Sequence, residues 1–66
     1  MDANDHKAAL AAQRQEEIAA HVLRVIQCSI EARMHDLNGQ PAAARDASRD
    51  AAAHVRCARF LAGLGR

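Results

Sequence analysis

Apolar positions recur through the first half of the chain at the three- and four-residue intervals of a helix. Ile18, Ala19, Val22, Leu23, Val25, Ile26, Ile30, Met34 and Leu37 spread over roughly half the circumference when each residue advances by about 100°. The pattern predicts a helix from about residue 7 to residue 37. Its apolar face is wider than a two-stranded coiled-coil seam and suits a helix that touches more than one neighbour. Residues 1–6 are polar and are expected to fray, with Asp2 or Asn4 available as a cap.

The pattern breaks at Asn38-Gly39-Gln40-Pro41. Glycine closes a helix by taking the left-handed conformation, and proline fits the first turn of the next, where its missing donor is not needed. A turn over 38–40 therefore leads into a second helix over about 41–62, ended by Gly63 and Gly65. So short a connection sends the second helix back antiparallel beside the first. One side of it carries Ala44, Ala47, Ala51, Val55, Ala58 and Ala62, interrupted by Ser48, so the two backbones can approach closely. Its bulkier residues, Phe60, Leu61 and Leu64, gather at the far end, where they are expected beside Ile18 and Val22.

Composition strengthens the helical reading. Alanine dominates the apolar half, and Phe60 is the single aromatic residue, so strands would lack their usual large and β-branched members. The class expected is all-α: one module over 1–66, an antiparallel helical hairpin. A chain of 66 residues buries only about 60% of the surface it exposes when unfolded. Alanine contributes little area, and two cysteines allow at most one internal bridge, so association is the expected source of further stability. Ile18, Val22 and Val25 lie toward one flank of the first helix, and Leu23, Ile30 and Met34 toward the other. A hairpin partner covers one flank; dimerisation into a four-helix bundle would cover the second. Ile18, Val22, Leu23, Val25, Ile26, Ile30, Arg33, Met34 and Leu37 are accordingly the expected protein interface. The partner is a second copy, or another helical protein in a heterodimer.

Charge divides the chain unevenly. Residues 39–66 carry five basic and two acidic side chains, and residues 1–38 carry four basic and six acidic, within a formal net charge of +1. Arg45, Arg49, Arg56 and Arg59 fall within roughly 80° of arc at about 100° per residue, away from the alanine side. Such a stripe can track phosphates on RNA or DNA, or meet an acidic protein partner. Asp46 and Asp50 beside it, one lysine in the whole chain, and the lack of stacking aromatics favour a solvated or protein-facing stripe over a nucleic-acid one. No stretch approaches a membrane span, and the start Met1-Asp2-Ala3-Asn4-Asp5 is acidic where a secretory signal is basic. A cytoplasmic location without membrane attachment is the expectation.

Candidate chemistry is sparse. His21, Cys28 and His35 repeat every seven residues along one edge of the first helix, while His54 and Cys57 lie three apart on the second. Seven residues span about 10.5 Å, too far to share an ion; His54 and Cys57, with His21 near their level, form the one conceivable metal group. Small buried cysteines and boundary histidines are the favoured reading, so no metal and no cofactor is expected. A hairpin also offers no deep cleft or oxyanion donors to a cysteine nucleophile, and no enzymatic activity is expected. Arg33 sits near the middle of the apolar arc, with Ser29 one turn before it and Asp36 to one side. A charge there must extend to solvent along its stem or meet a carboxylate across an interface.

In outline the chain resembles the short plasmid copy-control hairpins that pair as four-helix bundles on RNA, and the small helical-hairpin chaperones of type III secretion. The resemblance runs from Lys7 to Leu64, is one of architecture, and shares the turn signal Gly39-Gln40-Pro41. It implies surface presentation. The expected function is a protein-interaction element, namely a small adaptor, regulator or secretion co-chaperone; the alternative is a nucleic-acid-binding dimer.

Overall fold

The computed structural model describes residues 3–64 as two helices, α1 (Ala3–Leu37) and α2 (Pro41–Gly63), packed against each other as an antiparallel hairpin. Helix α1 begins four residues earlier than the hydrophobic pattern indicates. Asn4 is already helical, Asp5 stands in the first turn where the helix dipole favours an acid, and the alanines from Ala8 to Ala12 carry the helix on without need of a partner. Asp2, the other candidate cap, and Gly65 lie outside the described residues.

The reversal is fixed by backbone geometry. Gly39 has φ +70°, and around it the Gln40 N–H reaches the His35 carbonyl at 2.8 Å while the Gly39 N–H reaches that of Asp36 at 3.1 Å. These paired bonds are a Schellman closure, which satisfies two of the carbonyls a helix end leaves open. Gln40 takes the N-cap position of α2 without capping it by side chain, and Pro41 follows at the first turn. The Gln40 side chain is engaged elsewhere: its Oε1 accepts from His35 Nδ1 at 2.8 Å, binding the end of α1 to the start of α2.

The molecule is a rod of 56 × 15 × 11 Å with a radius of gyration of 16.0 Å, against about 11 Å for a compact chain of this length. Its core is correspondingly thin. Only Cys28, Ala44 and Ala47 are buried among the described residues. Half-buried Ile18, Val25 and Ala32 on α1, and Ala51, Val55, Ala58 and Leu61 on α2, extend the seam.

Contacts across the seam repeat every seven residues. His21 meets His54; seven residues on along α1 and seven back along α2 stand Cys28 and Ala47, both buried. A further seven brings His35 to Gln40. In the other direction the same step brings Arg14 to the level of Leu61, where both line a shallow groove with Leu10 and Leu64. The terminal leucines of α2 thus pack beside residues 10–17, about two turns nearer the start of α1 than Ile18 and Val22. Phe60 is exposed.

Candidate functional site

The seam on α1 interleaves Ile18 and Val25 with small or polar-tipped residues and leaves most of the large aliphatic side chains outside. Arg14, Ile18, His21, Val25, Cys28, Ala32 and His35 alternate at four- and three-residue steps toward α2. Leu23, Ile26, Ile30, Met34 and Leu37 are 52–81% exposed, centred roughly 170° around the helix from the seam at about 100° per residue. Of the interface residues expected from sequence, Ile18 and Val25 are half-buried within the hairpin, whereas Val22, Leu23, Ile26, Ile30, Arg33, Met34 and Leu37 are exposed. Alanine opposite the seam explains this sorting. Backbones brought close together have no room for a row of leucines and isoleucines.

On α2 the seam holds Ala44, Ala47, Ala51 and Ala58, as the sequence indicates, together with His54 and Leu61; Ala62 is exposed. Arg45, Arg49, Arg56 and Arg59 are all exposed on the side away from α1. Arg49 approaches Asp46 at 4.0 Å with both side chains largely in solvent, a pair worth little in water. The hairpin is therefore two-sided: an apolar outer face on α1 and a basic outer face on α2.

Three polar contacts tie the helices or their ends. His21 Nδ1 lies 2.8 Å from His54 Nδ1, with ring centroids 5.0 Å apart and the planes at 41°. One ring donates its Nδ1–H and the other accepts on its Nδ1 lone pair, so the acceptor is the neutral Nε2–H tautomer. The Arg14 guanidinium donates to the Leu64 carbonyl at 3.1 Å. The last turn of α2 contains no basic residue of its own, and α1 supplies the cation that suits its carbonyl end. The third is the His35–Gln40 bond at the turn.

The groups singled out for chemistry are dispersed. Cys28 is sealed at 1% exposure in the seam, while Cys57 is exposed, and both thiols are free. Among the described residues no group of three or more histidine, cysteine, aspartate and glutamate side chains is placed to hold a metal ion. His21 and His54 are instead directed at each other. Arg33 projects from the apolar outer face with no hydrogen bond or ion pair of its side chain among the described residues; neighbouring Ser29 turns its hydroxyl to the Val25 carbonyl at 2.7 Å.

No protein-family model matches the chain, and neither a curated protein nor a solved structure does. No helix among the described residues is long and apolar enough to cross a membrane.

Proposed function

We propose that this chain is a non-enzymatic docking module that binds a helical protein through the outer face of α1, in the manner of a small adaptor, regulator or secretion co-chaperone. The supporting observation is the row Leu23, Ile26, Ile30, Met34 and Leu37, each more than half exposed, while among the described residues the seam fully buries only Cys28, Ala44 and Ala47. Covering a large aliphatic side chain contributes roughly 1.5–3 kcal/mol. Five such side chains left in water are a large reserve of stabilisation beside a seam whose bulkier members, Ile18, Val25, Val55 and Leu61, are only half-buried, and a partner docked on this face would draw on it. Docking a second hairpin on this face gives an assembly of four helices. The exposed free thiol of Cys57 accords with a reducing, cytoplasmic setting.

The test is thermal melting followed by circular dichroism over a wide range of protein concentration, with and without Ile30→Asp. A midpoint that rises with concentration in the natural sequence, and loss of both helicity and association in Ile30→Asp, is the expected result. A cooperative melt independent of concentration, together with no effect of Ile30→Asp, refutes docking through this face.

The exposed arginines of α2 support the alternative reading, nucleic-acid binding, to a lesser degree. They are free of the seam, yet the helix that bears them has no exposed aromatic residue other than Phe60 to stack on a base.

A further inference from the structure

The outer face of α1 carries a second seven-residue repeat, distinct from the seam toward α2. Taken at alternate steps of four and three, its central positions are Ala12, Glu16, Ala19, Leu23, Ile26, Ile30, Arg33 and Leu37, all exposed. Two of the eight are charged, with opposite signs, and neither Glu16 nor Arg33 has a side-chain partner within the hairpin among the described residues. Each stands where a docked helix would cover it.

Their spacing is self-complementary. When a second α1 is laid antiparallel on this face with the two-fold axis between Arg24 and Val25, Glu16 falls opposite Arg33 of the other copy, twice by symmetry. The same register sets Ala12 opposite Leu37, Ala19 opposite Ile30, and Leu23 opposite Ile26. Every large residue at the ends of the row thus meets a small one, and the two bulky layers flank the axis. This alternation is what close packing of a seam requires. Ala12 to Leu37 spans about 38 Å of helix, so the contact runs along most of the rod. A parallel arrangement would set Glu16 against Glu16 and Arg33 against Arg33, placing like charges together on both levels.

Resting on the docking reading above, we infer that the partner is a second copy of this chain, held antiparallel through the outer faces of α1 with reciprocal Glu16–Arg33 ion pairs that fix its direction and register. Because the two faces of α1 lie roughly 160° apart, the α1 pair forms the middle of the assembly and the two α2 helices flank it. The four helices form a shallow curved layer instead of a square bundle, and the arginine stripes end up on its two outermost helices.

Charge reversal on the full chain under reducing conditions tests this, with sedimentation equilibrium reading the dissociation constant and circular dichroism the helicity. Glu16→Arg and Arg33→Glu are each expected to weaken the homodimer about tenfold or more, because attraction becomes repulsion at two symmetric sites. The double variant restores the natural affinity. An equimolar mixture of the two single variants forms a heterodimer tighter than either homodimer, and regains helicity if the single variants have lost it. A dimer indifferent to both reversals overturns the register. A chain that stays monomeric, and carries through purification a different protein that Ile26→Asp releases, overturns self-pairing while the docking reading stands.

Discussion

His21 and His54 face each other across the hairpin with their Nδ1 atoms 2.8 Å apart, the one direct hydrogen bond between side chains of α1 and α2 at mid-seam among the described residues. A donor and an acceptor half withdrawn from water are matched there. Removing one leaves the other without its partner, at about 1–3 kcal/mol, whereas replacing both by apolar residues of similar size removes the mismatch. We expect His21→Leu and His54→Leu singly to lower stability in urea denaturation and the double variant to recover most of the loss. Additive losses would show that the bond contributes no coupling.

Gly39 sets the reversal through its backbone alone. An added Cβ would meet no atom within 4 Å, so substitution there costs conformation and not space. With φ at +70°, Gly39→Ala should lose about 1–2 kcal/mol, Gly39→Val more, and Gly39→Asn least, since asparagine tolerates the left-handed region. Melting temperatures in that order confirm the Schellman closure; equal temperatures would place the strain elsewhere.

The two thiols report the packing independently. Cys28 is 1% exposed and Cys57 lies open. A thiol-specific reagent under native conditions should modify Cys57 quickly and Cys28 only at the rate at which the seam opens, with both reacting at once in denaturant. Ala47→Leu, which forces a large side chain in at the level of Cys28, should cost about 1–3 kcal/mol and bring the two rates together.

Arginine on α2 has its own signature. Binding of RNA or duplex DNA through Arg45, Arg49, Arg56 and Arg59 would weaken with salt along a log–log slope near −0.7 to −0.9 for each phosphate neutralised. We expect retention at low salt to be weak, insensitive to sequence, and lost in the four-fold glutamine variant without change in helicity. Tight binding at physiological salt would instead favour the nucleic-acid reading over protein docking.

The turn, both helices, the alanine side of α2 and the outward arginines are all legible in the amino-acid sequence, because glycine, proline, alanine and charge act through local and periodic rules. The division of α1 is not. Ranking its residues by size puts Ile18, Val22 and Ile26 together on one broad face, whereas close approach to Ala44 and Ala47 admits Cys28 and His21 and excludes Ile26. The seven-residue spacing of His21, Cys28 and His35 is the sequence signal for that seam. Histidine at such positions reads as a boundary residue or a ligand until a second histidine is known to stand opposite. The length of α1 is likewise hidden, since Asn4, Asp5 and His6 look like a fraying end until the alanines behind them are counted as a helix that needs no cover.

The slightness of the join between α1 and α2 bears on how much of the protein a cell would hold. A seam whose fully buried residues, among those described, are one cysteine and two alanines is expected to open more readily than a thick core, and an open chain is what proteases cut. Pairing removes chains from that opening in proportion to the partner present. Pulse-chase lifetimes should therefore lengthen with expression level under self-pairing, and they should shorten in Ile30→Asp. Under self-pairing, the steady-state amount then rises more steeply than the rate of synthesis, so that a modest change in expression becomes a sharp change in abundance.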